Sequence, residues 1–300
     1  MKKVLDTGAD IVAVGHWLAV LFLDLAELQK TMEPQYDQYV PYKVNYADLA
    51  DKNHPSWALT VRYYQQLIGR YKNNPQIVAW EFPNELNLLA DIPNRTAPGS
   101  SVYAPTNEKG PFKTDMLIEY SRNLTELIRS VDPNHLVFTG NATPRPSAWH
   151  LWKEGNFTRD SVQELESYLK ETHAIPGLGA WSIHFYNDKT KGIPDSERFG
   201  YQGADLLKEY ARIARDVVKR PMFIGETGDS EPTIEEQNGE GVFMSRVLEQ
   251  SYQLRIPITL LWAWYPTLTS KDQDRRRLEK YPKVRQMAKD FQARFDLLKE

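Results

Sequence analysis

The chain has 300 residues, of which 41% are hydrophobic and 26% are charged, a composition typical of a folded protein with a sizeable core. Lysine and arginine (37) nearly balance aspartate and glutamate (40), which disfavours nucleic acid or an anionic membrane as the main partner. The chain contains no cysteine, which excludes disulfides and thiolate metal sites. The length suits one (β/α)₈ barrel, which takes about 250 residues.

The N-terminal sequence predicts neither a signal peptide nor a membrane span. Asp6, Gly8 and Asp10 interrupt any apolar stretch that follows the basic start. The most apolar segment, residues 11–25, contains His16 and is shorter than the ~20 residues that a membrane helix needs. We therefore expect no membrane partner, and a cytoplasmic protein as the sequence stands, or a secreted one if an N-terminal segment has been lost.

Short apolar segments alternate along the chain with longer segments of helical periodicity. Strands are predicted at residues 19–25, 77–82, 136–140, 180–185, 221–225 and 256–262, and helices at residues 55–71, 114–130, 161–173, 204–219, 235–254 and 283–298. This alternation predicts a parallel sheet with helical crossovers. Residues 93–110 are rich in Pro, Asn, Gly and Ser and are predicted to form a long loop. Because no linker divides the chain, we predict one domain of residues 1–300.

Two glutamates come at or just beyond the ends of predicted strands. Glu85 follows the strand at residues 77–82, and Glu226 follows the strand at residues 221–225. A barrel presents the carboxyl ends of its strands to the active face. Two carboxylates in that position are what glycosidic bond hydrolysis requires, one as acid/base and one as nucleophile. A single carboxylate there is more often a helix cap, so the prediction depends on the pair.

Four short motifs follow or lie in the predicted strands: Asn84-Glu85 after VAWEF, His184-x-Tyr186 after WSI, Glu226 after MFIG, and Trp262 within LLWAW. These motifs and their order resemble those of the retaining glycoside hydrolases of the cellulase and β-mannanase superfamily, the family 5-like (β/α)₈ enzymes. The resemblance covers about residues 19–266 and implies a TIM-type (β/α) barrel.

The resemblance also implies a role for each of these residues. Glu85 would protonate the leaving oxygen and then activate water, and Glu226 would attack the anomeric carbon. The substrate would be a β-linked oligosaccharide or polysaccharide of glucan or mannan type, cleaved by double displacement without a metal or other cofactor. The other implied roles are a hydrogen bond to Glu226 from Tyr186, support of that contact by His184, binding of a sugar hydroxyl by Asn84 and stacking under the sugar by Trp262.

The N-terminal part departs from the family pattern. Counting back from Glu85 makes residues 19–25 the third barrel strand and leaves no sequence for the first two. Residues 10–14 are not expected to add a strand, because too few residues separate them from residue 19 for a parallel crossover. Residues 23–26 also lack the histidine often seen after strand three. We therefore expect six recognisable strands in an N-terminally incomplete barrel, which a partner chain (a homo-oligomer) or the N-terminal segment completes, or a truncated form with weakened activity.

Two other functions compete with the glycosidase prediction. A non-catalytic carbohydrate-binding barrel would keep the aromatic cleft without a competent site. A metal-dependent barrel hydrolase is disfavoured, because His184 and Glu226 lack the clustered His and Asp ligands of such sites.

Trp149 and Trp152, predicted in a loop, are candidates for outer sugar subsites. The tryptophans predicted to lie in the core are Trp57, Trp80 and Trp181.

Overall fold

The computed structural model describes residues 11–12, 50–82, 84–92, 112–186, 198–229, 231–262 and 278–296. The chain divides into two compact units, Met1–Trp181 and Ser182–Glu300. No helix in these described ranges is long and apolar enough to cross a bilayer.

The first unit contains a parallel sheet of three strands in the order β1-β2-β3. The strands are β1 (Ile11–Val12), β2 (Ile77–Glu81) and β3 (Leu136–Phe138). Ile11 pairs with Ile77, and Glu81 at the end of β2 pairs with Phe138 at the end of β3. The carboxyl ends of β2 and β3 therefore lie side by side.

The position of β1 corrects the N-terminal strand assignment. The strand predicted at residues 19–25 lies outside the described residues, and the strand that pairs with β2 is Ile11–Val12. The expectation that residues 10–14 add no strand is therefore wrong. It failed because it considered the short separation from residue 19, whereas the partner of β1 is β2, and the chain between them contains a full helical crossover.

Among the described residues of the first unit there are four α-helices, and three of them match the predicted segments closely. The match includes Ser161, which caps the fourth helix through a capping box with Glu164. The third helix lies in a segment that was predicted as a loop. It has only seven residues, too few to show a clear helical periodicity in the sequence. The helices are α1 (Pro55–Tyr71), α2 (Thr114–Val131), α3 (Ala148–Glu154) and α4 (Val162–His173).

Trp80 and Asp132 join the sheet of the first unit to its helical layer. The Trp80 side chain is 1% exposed, and its Nε1 donates to Asp132 Oδ2 over 2.8 Å. The same carboxylate lies 2.6 Å from His135 Nδ1 and accepts the backbone N–H groups of Asn134 and His135. Asp132 thus fixes the turn between α2 and β3. Trp80 and Trp181 are buried as predicted, and Trp57 packs half-buried against the core.

The second sheet has the order β4-β5-β6. Its strands are β4 (Trp181–His184), β5 (Met222–Thr227) and β6 (Thr259–Leu261), and β5 and β6 run parallel. Strand β5 continues past the predicted end at residue 225, so Glu226 lies within the strand. The α-helices in the described part of this unit are α5 (Leu207–Ile213), α6 (Glu231–Glu236), α7 (Val242–Gln253) and α8 (Pro282–Asp296).

The helix predicted at residues 235–254 is divided into α6 and α7. Asn238, Gly239 and Gly241 between them all have positive φ, at 55°, 80° and 61°. Asparagine and glycine adopt this left-handed conformation at low cost, and a helix cannot continue through it. The sequence Asn-Gly-Glu-Gly is therefore a helix break, which the apolar periodicity alone did not reveal.

Candidate active site

Glu85 stands in the turn that follows β2, and its backbone is left-handed, with φ 54° and ψ 29°. Its N–H donates to the carbonyl of Gly140 over 2.7 Å, and its own carbonyl accepts from the N–H of Leu88 over 2.9 Å. A non-glycine residue in this region costs on the order of 1 kcal/mol or more and occurs preferentially at functional sites. Asn84 precedes it, and both side chains are half-buried.

Asn87 lies in the 3₁₀ helix Leu86–Leu88 directly after Glu85, and sequence reasoning missed it. Its amide Nδ2 donates to the carbonyl of Ala142 over 2.8 Å, and its Oδ1 accepts the N–H of Ala142 over 2.9 Å. Arg145 Nη2 also donates to the carbonyl of Leu88 over 2.7 Å. The turn after β2 is thereby tied to the loop after β3. Only the closeness of an asparagine to Asn84-Glu85 signals this in the sequence.

Glu226 is held near the end of β5 by two aromatic side chains. The hydroxyl of Tyr186 donates to Glu226 Oε2 over 2.7 Å, and His184 Nδ1 lies 3.5 Å from the same oxygen. The side chains of His184 and Glu226 are 3% and 14% exposed. A short O–H···O⁻ hydrogen bond favours the ionised carboxylate and fixes its orientation. The structure thus brings together three of the predicted site residues.

Gly228 and Trp262 define the backbone next to Glu226. The N–H of Trp262 donates to the carbonyl of Thr227 over 2.8 Å. A Cβ atom at Gly228 would collide with the carbonyl oxygen of Trp262 and would lie 3.7 Å from Cε1 of Tyr186. Glycine is therefore required here by close approach. The Trp262 ring is half-buried, and its role as a sugar platform stays a prediction.

Trp149 and Trp152 lie on helix α3 rather than in a loop, which corrects the sequence interpretation. Trp152 Nε1 donates to Asp115 Oδ1 over 3.0 Å, and Lys153 Nζ lies 3.3 Å from the centre of the Trp152 ring. The ring of Trp149 packs edge-on against His150. Both side chains have partners within the first unit, and their role at outer sugar subsites stays a prediction.

Comparison with known protein families identifies the family of this chain. The sequence model of the family described as Cellulase (glycosyl hydrolase family 5) matches residues 31–267. The chain belongs to glycosyl hydrolase family 5. The predicted resemblance is confirmed, and with it the assignment to a family of glycosidases.

Family 5 relatives include curated mannan endo-1,4-β-mannosidases. The chain is 25% identical over 187 residues to mannan endo-1,4-β-mannosidase 1 of Oryza sativa subsp. japonica, covering 60% of this chain and 36% of that protein. It is 24% identical over 194 residues to mannan endo-1,4-β-mannosidase 1 of Solanum lycopersicum, covering 61% and 40%. The chain thus spans well under half the length of these relatives.

Solved structures show the same fold at low identity. A hyperthermostable endo-1,4-β-D-mannanase from Thermotoga petrophila RKU-1 has a TM-score of 0.54 at 16% identity, covering 83% of this chain and 68% of that chain. An endo-1,4-β-mannanase from Rhizomucor miehei has a TM-score of 0.51 at 17% identity, covering 82% and 65%. The predicted (β/α)-barrel fold class is confirmed.

Proposed function

We propose that this chain hydrolyses β-linked mannan with retention of anomeric configuration, with Glu85 as acid/base and Glu226 as nucleophile. The observation that carries the proposal is the 2.7 Å hydrogen bond from Tyr186 to Glu226 Oε2 at the end of β5. Mannan is favoured over glucan because the matched curated relatives are named mannan endo-1,4-β-mannosidases.

In this proposal the two oxygens of Glu226 have different tasks. Oε2 accepts from Tyr186, so we assign the attack on the anomeric carbon to Oε1. As the C1–Oε1 bond forms, the bond from C1 to the leaving oxygen breaks, and Glu85 transfers its proton to that oxygen. Glu85 then takes a proton from water, which attacks C1 and releases Glu226 as a carboxylate.

The direct test is the hydrolysis of mannan, cellulose, xylan and aryl β-glycosides, with the products followed by NMR. We expect reducing ends from mannan at the highest rate, with the β anomer appearing first and mutarotating later. Initial release of the α anomer would contradict the retaining mechanism. Cellulose or xylan as the preferred substrate would contradict the mannan assignment and leave the mechanism standing.

The two glutamate roles are separated by small-anion rescue of alanine variants. In Glu226→Ala, azide has access to the face of C1 that the carboxylate attacks, so an activated aryl β-mannoside should give the α-mannosyl azide. In Glu85→Ala, azide attacks the glycosyl-enzyme intermediate, so the product should be the β-mannosyl azide. We expect Glu226→Ala to lower kcat by ~10⁴-fold or more, and Glu85→Ala by about 10² to 10⁴-fold on poor leaving groups.

The binding-module alternative predicts a different pattern. Wild-type protein that binds mannan in affinity electrophoresis but hydrolyses no β-glycoside would favour a carbohydrate-binding barrel.

Completion of the barrel by a second copy also stays a prediction. Sedimentation of active protein tests it, because a stable and fully active monomer would contradict it.

A further inference from the structure

A cluster of one histidine and three carboxylates lies in the first unit, where α3 meets the start of α4. We name it the His150 cluster, and it comprises His150, Glu154, Asp160 and Glu164. The first two residues stand one turn apart on α3, and the others stand just before and within the first turn of α4. One carboxylate oxygen of Asp160 and one of Glu164 lie within 4.8 Å of a His150 ring nitrogen and of each other.

Asp160 fixes the His150 ring. Its Oδ1 lies 2.9 Å from His150 Nδ1, and its two oxygens also accept the backbone N–H groups of His150 and Trp149 over 3.2 and 2.9 Å. The Asp160 side chain is 2% exposed, and a carboxylate that accepts these donors leaves the hydrogen on Nδ1. The neutral ring therefore presents the lone pair of Nε2 on its other side.

Nε2 of His150 faces two further carboxylate oxygens at distances longer than a hydrogen bond. Glu164 Oε1 lies 3.6 Å away and Glu154 Oε2 lies 3.9 Å away. Two ligands at 2.0–2.2 Å from a tetrahedral zinc ion stand about 3.4 Å apart. The spacing of Nε2 and Glu164 Oε1 thus suits a shared ion better than a shared proton.

The second carboxylate oxygen of Glu164 is already committed. Glu164 Oε2 accepts from Ser161 N over 2.7 Å and from Ser161 Oγ over 2.8 Å. This capping box orients Oε1 toward the imidazole. His150 is 8% exposed, so its ring is held by burial as well as by Asp160. The ligand set is therefore preorganised at two of its members. The third, Glu154, is 48% exposed, and its Oε2 accepts a hydrogen bond from Asn156 Nδ2 over 3.0 Å that the ion would replace.

We propose that His150 Nε2, Glu164 Oε1 and Glu154 Oε2 bind one zinc ion, with water in the fourth position. Imidazole with carboxylates suits zinc, whereas calcium and magnesium prefer oxygen ligands alone. Asp160 supplies the outer carboxylate that commonly orients a zinc-bound histidine. The ion would tie α3 to α4. Nothing in the sequence analysis indicated this site, because two of its ligands, His150 and Glu154, lie on a helix that was predicted as a loop.

The charge of the cluster supports a cation. Carboxylate oxygens of Asp160, Glu164 and Glu154 lie 2.9, 3.6 and 3.9 Å from the ring nitrogens of His150. This concentration of negative charge attracts a divalent ion, which can bind Nε2 and both glutamate oxygens at bonding distance.

The test is a zinc titration of the full chain after dialysis against EDTA, read by calorimetry and by the thermal unfolding midpoint. We expect one equivalent bound by wild-type protein, with a rise in the midpoint. His150→Gln and Glu164→Gln should each weaken zinc binding by at least tenfold and remove the rise. Glu154→Gln, at an exposed position, should fold normally and weaken binding to a smaller extent.

His135→Gln and Glu226→Gln are the matched controls. His135 is also held at Nδ1 by a buried aspartate, Asp132, over 2.6 Å, so its loss tests whether any such histidine binds zinc. Glu226→Gln tests for zinc at the candidate active site. Both should retain one equivalent. The proposal is overturned if wild-type protein binds no zinc, if His150→Gln and Glu164→Gln keep the wild-type affinity, or if either control loses the ion.

Discussion

Glu85 is held in place through its backbone, whereas Glu226 is held in place through its side chain. The backbone of Glu85 is fixed in a left-handed turn through its N–H and carbonyl, with Asn87 anchoring the turn to the loop after β3. Glu226 lies in strand β5, and its carboxylate is fixed by Tyr186. One carboxylate therefore depends on the loop backbone, and the other depends on a neighbouring side chain. Mutations around the two should differ in kind.

Loss of the Asn87 amide should have the largest effect on stability. Asn87→Ala leaves a buried N–H and a buried carbonyl of Ala142 without partners, each costing about 1–3 kcal/mol. We expect the free energy of unfolding to fall by about 2–6 kcal/mol, with a loss of kcat from misplaced Glu85. Denaturant unfolding measures the first. Asn53→Ala, at an exposed position, is the control and should change stability by less than about 0.5 kcal/mol.

Removal of the Tyr186 hydroxyl should act on catalysis rather than on stability. A hydrogen bond to a charged group is worth about 1.5–3 kcal/mol, so Tyr186→Phe should lower kcat by about 10- to 100-fold. Tyr281→Phe is the matched control, because it removes a tyrosine–glutamate hydrogen bond to exposed Glu235. For Tyr281→Phe, steady-state kinetics on an aryl β-mannoside should show an unchanged kcat. Unchanged kcat in Tyr186→Phe would contradict the nucleophile assignment.

A methyl group at Gly228 should disturb the Glu226 region by steric means. Gly228→Ala forces apart the chain at Trp262 and Gly228, and overpacking of this kind costs about 1–3 kcal/mol. We expect lower stability and lower activity together. Gly69→Ala in α1 is the counterpart, because a Cβ there meets nothing within 4 Å. It should raise the free energy of unfolding by about 0.5–1 kcal/mol, as thermal unfolding would show.

Relief of the left-handed backbone should give the smallest effect and the opposite sign. Asparagine tolerates positive φ better than glutamate does. Glu85→Asn should therefore raise the free energy of unfolding by about 0.5 kcal/mol while hydrolysis is lost. Destabilisation of this variant would mean that the Glu85 side chain contributes more to the fold than its backbone strain costs.

Strand and helix positions were predictable where the chain has clear periodicity and turn residues. The segments around Ile77, Leu136 and Met222 became strands within a few residues of prediction, and the order of motifs at their ends identified the family. The region before residue 50 was not predictable in this way. There the apolar segment at residues 19–25 obscured a two-residue strand whose partner, β2, lies far along the chain.

The parts of the candidate site that were missed depend on backbone geometry. The side chains of Tyr186 and Glu226 follow from strand ends, which periodicity locates. Asn87 acts through two hydrogen bonds to one peptide unit, and Gly228 acts through the absence of a side chain. Neither property has a pattern in a single sequence, because each depends on which loop stands opposite.

The carboxylate of Asp132 has a consequence for behaviour in acid. Burial disfavours its charge, but hydrogen bonds from Trp80, His135 and Asn134 outweigh it and lower the pKa of Asp132 below its ordinary value. Its contribution to stability is therefore complete above about pH 4, near the unfolded pKa, and is lost as the pH falls through the lower folded value. Asp132→Asn should flatten the acid limb of the unfolding curve, so this one turn sets part of the protein's tolerance to acid.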